Sequence, residues 1–237
     1  MDKILQLLIS NHGRGAGARI VTAADGADEA TVYVYDAIGS YYGIDAQTFV
    51  RELAAIEAGT IHLRLNSPGG DVFAARAMKT ALEQHKAKVV AHIDGVAASA
   101  ASFLMLAADE IAIADGAFVM IHEPWSLALG TADEMRASAD LLDKVGEAIA
   151  ADYQRRTGKS AEEVAAWMKA ETWFSADEAI ENGFADRKAE KAAVANAFDL
   201  TAFRNAPRAL LERAPFDALA ADRGRYEARL RLIERAA

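Results

Sequence analysis

The chain has no cysteine. Disulfide staples, cysteine-ligated zinc, iron–sulfur clusters and thiol nucleophiles are therefore excluded from its chemistry. It also lacks an excess of positive charge, with 26 Lys and Arg against 35 Asp and Glu and a formal net charge of −9. That balance makes nonspecific binding to phosphate backbones a poor candidate for its main task, and no nucleic-acid partner is expected. The charge order of a secretory signal is missing too: the short apolar run Ile4, Leu5, Leu7, Leu8 and Ile9 leads into His12 and Arg14. An intracellular protein is expected. Long apolar runs are scarce. Val89 to Ala108 has about the length of a membrane span, but His92, Asp94 and Gly95 interrupt it, and it reads as a buried strand, a tight turn and a buried helix. No internal repeat is apparent.

What is present is a core-forming majority: 52% of the 237 residues are apolar, enough for one domain of roughly 150 to 200 residues with extensions. Thr31 to Asp36 alternates Val32 and Val34 with Tyr33 and Tyr35, a strand signature. A helix is expected from the N-cap Asp45, with Phe49, Leu53 and Ile56 on one face and Gly59 at its end. Ile61, Leu63 and Leu65 form the next strand, Asn66-Ser-Pro-Gly-Gly70 breaks it, and a helix runs to about His85. Lys88 to Asp94 is a further strand, turned by Gly95 into a helix over Ala97 to Ala108; Glu110 to Ala114 and Ala117 to His122 read as two short strands. Strands alternating with helices imply an α/β fold with a mostly parallel, covered sheet.

The second half opens on a capping box, Thr131-Ala-Asp-Glu134, that starts a long helix with Met135, Leu142, Val145, Ile149 and Tyr153 as its apolar stripe and Gly158 at its end. Ser160-Ala-Glu-Glu163 and Ser175-Ala-Asp-Glu178 open two shorter helices, the second ending at Asn182-Gly183. From Arg187 the composition shifts to 11 Lys and Arg against 7 Asp and Glu. Residues 1–29 read as an N-terminal segment before the domain over 30–187, and this asymmetry marks residues 188–237 as a basic, partly helical tail appended to it. Its last part, Ala218 to Arg235, reads either as a helix docking on a partner or as a solvated tail.

Three segments can carry chemistry. Gly95-Val-Ala-Ala-Ser99-Ala-Ala-Ser102 puts a serine just past a strand-to-helix turn among small side chains. A helix N-terminus there presents free N–H groups to a developing oxyanion; small residues also simply permit close helix packing. Ser67-Pro-Gly-Gly70 leaves backbone N–H groups bare, and is equally readable as a plain turn. His122, in Met120-Ile-His122-Glu-Pro124, sits at a strand end, where parallel sheets place functional groups. His12, His62, His85 and His92 have no serine motif nearby.

Taken together, Asn66 to Gly70, Gly95 to Ser99, Met120 to Pro124, and Trp173-Phe-Ser-Ala-Asp-Glu-Ala179 with Asn182-Gly-Phe-Ala-Asp186 resemble the proteolytic subunit of the Clp protease (ClpP) over roughly residues 30–187. Tyr35-Asp-Ala-Ile-Gly39 and Glu171-Thr-Trp-Phe174 are similar to segments of ClpP-related head maturation proteases of phages and prophages. The resemblance implies a ClpP/crotonase-like fold with repeated β-β-α units and a strand-helix handle at about 126–158. It implies a serine endopeptidase in which Ser99 is the nucleophile, His122 the general base, and the N–H groups of Gly70 and Ala100 the oxyanion hole. Glu171 stands where the bacterial subunit has Asp, and Glu can orient a histidine on other folds; Asp177 and Asp186 compete for that place.

Such acyl-transfer chemistry requires no metal and no organic cofactor, in keeping with the lack of cysteine and of a His-x-x-x-His pair. The implied partners are a polypeptide substrate, a capsid or scaffold protein on the phage likeness, and further copies of the chain in stacked rings. An ATPase that feeds a degradative peptidase is the alternative. The implied setting is cytoplasmic, in a bacterial host if phage-encoded. Crotonases share the architecture but lack this Ser/His pair; signal-peptide peptidases of the superfamily use Ser with Lys and are membrane-anchored; an inactive assembly scaffold keeps the fold without catalysis.

Overall fold

The computed structural model of the chain describes residue 11 and residues 17–22, 28–40, 43–192 and 198–211. Its element order is β1 (Gly17–Thr22), β2 (Glu29–Tyr35), α1 (Ala46–Leu53), β3 (Thr60–Ser67), α2 (Val72–Gln84), β4 (Lys88–Ala98), α3 (Ala100–Leu104), β5 (Glu110–Asp115), β6 (Phe118–Ile121), α4 (Ala132–Thr157), α5 (Ala161–Ala170), β7 (Thr172–Ser175), α6 (Ala176–Glu181), β8 (Arg187–Ala192) and α7 (Arg208–Leu211). The main sheet runs β1-β2-β3-β4-β5-β8, parallel except for the β1–β2 edge pair. Strand β6 pairs parallel with the end of β4 and antiparallel with β7.

The alternation in the sequence decides which face is buried. Ile61, Leu63 and Leu65 are fully buried, as are Val32 and Val34, and each contributes roughly 1.5–3 kcal/mol by leaving water. They pack with Phe49, Leu53, Met78 and Leu82 of α1 and α2 into one core. The intervening residues form a polar face on which Arg64 Nε donates to Asp94 at 2.9 Å and the Tyr35 hydroxyl to the same carboxylate at 2.6 Å. Among the described residues, no helix is long and apolar enough to cross a membrane.

The capping signals in the sequence act locally. Asp45 accepts from the Thr48 N–H at 2.8 Å, and the boxes at Thr131 and Ser175 both form in full. Ser160 makes its half of the interaction with the Glu163 N–H, at 3.2 Å. Gly158 ends α4 in the left-handed conformation, φ 69°.

Four expectations need correction. The strand expected to stop at Asp94 continues through Gly95 to Ala98, and the chain turns at Ser99 instead. The extension is possible because Val96, Ala97 and Ala98 find a new partner in Phe118, Val119 and Met120. Helix α3 is accordingly five residues long and passes into a 3-10 turn over Met105–Ala107. The strand half of the handle at 126–158 is absent from the single chain: residues 126–129 pair with no described strand, and only the helix, α4, is formed. An edge strand needs a neighbour to pair with. Finally, the sheet runs past the boundary expected at 187, since β8 pairs with β5. Residues 198–211 also return to it. Phe198, Leu200, Phe203 and Leu210 cover Val96, Ala98 and Met120 in a second apolar cluster. The helix expected over Ala218 to Arg235 lies outside the described residues.

Candidate active site

Register brings the two reactive side chains together. Ala98 is paired with Met120 in parallel strands, so the residues that follow, Ser99 and His122, leave the sheet side by side. The Ser99 N–H donates to the Met120 carbonyl at 2.9 Å, and His122 Nε2 lies 2.7 Å from Ser99 Oγ. Ser99 has φ 53° and ψ −123°, a conformation that costs a non-glycine residue on the order of 1–3 kcal/mol. It forces a sharp exit from the strand and puts Oγ at the apex of the turn, as in the nucleophile elbows of other hydrolases.

The next residue, Ala100, begins α3, and as a first helical residue its N–H has no carbonyl one turn back. Facing it is the Ser67–Gly70 loop. Among the described residues the Gly70 N–H also donates to no protein acceptor. This loop is held from below by Asp36–Gly39. Ser67 Oγ donates to the Asp36 carbonyl at 2.6 Å, the Ile38 N–H to the Gly69 carbonyl at 2.8 Å, and the Asp71 N–H to the Ile38 carbonyl at 2.8 Å. Both glycines are required. A Cβ on Gly69, at φ 90°, would stand 2.8 Å from the Ala100 nitrogen, and one on Gly70, at φ 146°, would stand 2.0 Å from the Ile38 carbonyl oxygen.

Antiparallel pairing of β6 with β7 matches Ile121 to Thr172, so Glu171 follows opposite His122. Its φ of 55° makes it, with Ser99, one of two non-glycine residues at positive φ among the described residues. One Glu171 carboxylate oxygen, Oε1, accepts the Asn205 N–H at 2.6 Å. No hydrogen bond joins Glu171 to His122 among the described residues, yet the carboxylate is close enough for its charge to bear on the imidazole. Burial pulls His122 down to about 4, and the negative charge of Glu171 works against that shift. His122 is thus neutral at pH 7 and able to accept a proton.

The competitors for the third place are engaged elsewhere. Asp186 accepts the Ile111 N–H at 2.7 Å and pairs with Arg156 at 2.8 Å, while Asp177 pairs with Lys188 at 2.8 Å. Ser102, one turn beyond Ser99, is fully buried, donates to the Ser99 carbonyl at 2.7 Å and meets the Tyr153 hydroxyl at 2.8 Å. Of the other histidines, His85 bridges to the Ile56 carbonyl at 3.1 Å, and His62 and His92 contact each other at 3.0 Å. No group of three or more metal-ligating side chains occurs among the described residues. A cleft of about 500 Å³ opens over Ser99 and His122, walled by Leu141, Leu142 and Val145 of α4 on one side and reaching Phe203 on another.

The family model for the Clp protease matches residues 27–192. The ATP-dependent Clp protease proteolytic subunit 1 of Leifsonia xyli subsp. xyli (strain CTCB07) is 32% identical over 134 residues, covering 56% of this chain and 68% of that protein. The chain belongs to the Clp protease family. It is a serine-type endopeptidase of the ClpP type, and its α/β architecture with a mixed sheet is consistent with the ClpP fold. Both matches are to the Clp protease and its proteolytic subunit.

Two residues beside this Clp-type site escaped the reading of the sequence. Phe203 packs edge-on against the His122 ring, with centroids 5.8 Å apart, and Asn205 holds Glu171. The spacing of Phe198, Leu200 and Phe203 was the available sign that this stretch is buried rather than a free tail. The close fit of the glycine loop gives a direct test. Gly69→Ala is expected to lower the melting temperature by roughly 5 °C or more, since a side chain at positive φ is strained and overlaps Ala98 and Ala100. It should also reduce peptide hydrolysis at least tenfold. Calorimetry and a fluorogenic peptide assay check both, and wild-type values for the two would contradict the packing described.

Proposed function

We propose that Ser99 attacks a peptide carbonyl, that His122 takes its proton, and that the N–H groups of Gly70 and Ala100 hold the oxyanion. The observation that carries this reading is the 2.7 Å contact between Ser99 Oγ and His122 Nε2 at a strained turn. In the acylation step Oγ bonds to the carbonyl carbon and its proton passes to Nε2. The imidazolium then returns that proton to the departing amine. Water repeats the cycle on the acyl-enzyme. Donors fixed in the backbone cost no reorganisation as charge develops, which is where most of the rate arises in such sites.

A buried imidazole with a pKa of about 4 is a weak base. Glu171 is proposed as the third member of the triad, strengthening the base as the imidazolium forms. A carboxylate has several acceptor positions, so the bond from Asn205 leaves Glu171 able to accept from His122 Nδ1 as well.

The reading of biological role favoured by the Leifsonia relative, a subunit of an ATP-dependent protease, is a degradative peptidase supplied with polypeptide by an ATPase partner. Processing of capsid or scaffold protein is the second reading, and Tyr35–Gly39 and Glu171–Phe174 are the residues that favour it. The first of those segments has a structural task here, because Asp36–Gly39 supports the Ser67–Gly70 loop. Any peptidase with this loop has use for such a support, so the segment is a poor marker of a phage role.

Assembly into a homo-oligomer of stacked rings is proposed from the handle. Leu127, Leu129, Met135 and Leu141 are exposed, Leu129 at 99%, and the backbone of residues 126–129 pairs with no strand among the described residues. Apolar surface and an unpaired edge together call for a second copy. Light scattering at micromolar concentration should give a particle of several chains; a monodisperse monomer would exclude the proposal.

The catalytic assignment is tested by a variant series on a small fluorogenic peptide. Ser99→Ala should keep its fold and lose about four orders of magnitude or more in turnover. Glu171→Gln should lose about two, and Glu171→Asp less, because Asp is at home in the left-handed conformation. Near-full activity in Glu171→Gln together with loss in Asp177→Asn or Asp186→Asn would assign the third place to an aspartate.

A further inference from the structure

The family match ends at residue 192, but the groups nearest His122 and Glu171 include residues beyond it. Phe203 is 7% exposed, sets its ring edge-on to His122 at 89°, and contacts Trp173 at 5.7 Å. Two residues on, Asn205 brackets Glu171 from three sides. Its N–H donates to the carboxylate at 2.6 Å, and its Nδ2 donates to the Ala170 carbonyl at 2.6 Å and to the Glu171 carbonyl at 3.3 Å. The stretch is anchored firmly. Phe198, Leu200 and Leu210 sink into the cluster beneath Val96, Ala98 and Met120, on the strands that lead to Ser99 and His122. Asn11 and Asp199 exchange two bonds, of 2.8 and 2.6 Å, at its start.

We propose that Phe203 and Asn205 are positioning residues for the peptidase reaction, Phe203 fixing and drying the His122 imidazole and Asn205 fixing the direction of the Glu171 carboxylate. The proposal rests on the roles given above to Ser99, His122 and Glu171. Its physical basis is that Glu171 lies in a conformation unfavourable to Glu, φ 55°, which survives only where neighbours over-determine it. The Nδ2 bonds of Asn205 tie down the backbone on both sides of that residue, and its N–H orients the side chain. A carboxylate or imidazole displaced by about an ångström costs up to about a hundredfold in rate.

The groups facing the imidazole are the Ser99 hydroxyl, the Glu171 carboxylate and the Phe203 ring. Glu171 is the charged one. Removing the ring admits water, which favours the imidazolium and moves His122 from about 4 toward its ordinary value near 6.5. Hydrolysis depends on neutral His122, so the acid limb of kcat/KM must move to higher pH with it.

The test uses the full chain and a fluorogenic peptide, with kcat and KM measured from pH 3.5 to 8, in about half-unit steps, for wild type, Ser99→Ala, Phe203→Ala, Phe203→Leu and Asn205→Ala. Phe203→Ala should raise the acid limb by about one pH unit or more. Phe203→Leu, which keeps apolar bulk and is the safer variant for folding, should raise it by less. Asn205→Ala should lower kcat about tenfold with KM nearly unchanged. An acid limb that stays in place in both Phe203 variants, or an Asn205→Ala variant with equal or higher kcat, would overturn the inference while leaving the catalytic pair intact. Hydrolysis that survives in Ser99→Ala would overturn the pair, and the inference with it.

Discussion

Ser99 occupies a backbone conformation with which β4 cannot continue, and the rest of the site depends on that single turn. At φ 53° the chain leaves the sheet abruptly, places Oγ at the apex and starts α3 one residue later with a bare N–H. The strain is held because Ser99 is tied on both sides. Its N–H is bonded to Met120, and its carbonyl accepts from Ser102. The strands behind it are buried in two apolar clusters. A side chain free to relax from this turn would lose His122 as a neighbour and Ala100 as the proposed oxyanion donor together.

The surrounding parts answer to the same geometry. Strand β4 exchanges its partners near Gly95, from β5 to β6, and that exchange brings His122 alongside. The glycine pair at 69 and 70 lies so close to Ser99, Ala100 and Ile38 that no side chain fits. The support under that pair, Asp36–Gly39, combines hydrogen bonds to the loop with burial of the Ile38 side chain in the main core. On the far side, the pairing of β7 with β6 sets Glu171 opposite His122, and the Asn205 N–H holds its carboxylate. Two strained residues face one histidine, and packing from outside the matched region completes the enclosure.

Much of this was legible in the sequence. The alternation of Val32, Val34, Ile61, Leu63 and Leu65 predicts the buried strands, and Asp45, Thr131 and Ser175 predict helix starts, because these signals act between residues a few positions apart. The roles of Ser99 and His122 came from motif order and resemblance, and the fold brings the two side chains into contact. The turn itself was misplaced at Gly95. Glycine is the usual residue for positive φ, whereas here a serine bears the strain and Gly95 lies within the strand. The missing handle strand, the continuation of the sheet into β8, and the return of Phe203 and Asn205 are contacts between distant parts of the chain. Composition suggested a foreign tail after residue 187, since charge is a property of the surface, while three aromatic or aliphatic residues, Phe198, Leu200 and Phe203, decide where that stretch packs.

In the proposed reaction the fold activates one serine, Ser99. The most direct measurement is treatment of the full chain with an alkyl fluorophosphonate at neutral pH, followed by proteolytic digestion and tandem mass spectrometry to locate the adduct. The site described here predicts one phosphonyl group, on Ser99, since among the described residues that hydroxyl alone combines a base at 2.7 Å with two bare N–H groups. An adduct on Ser67 or Ser102 in its place, or no adduct on a folded chain, would contradict the account.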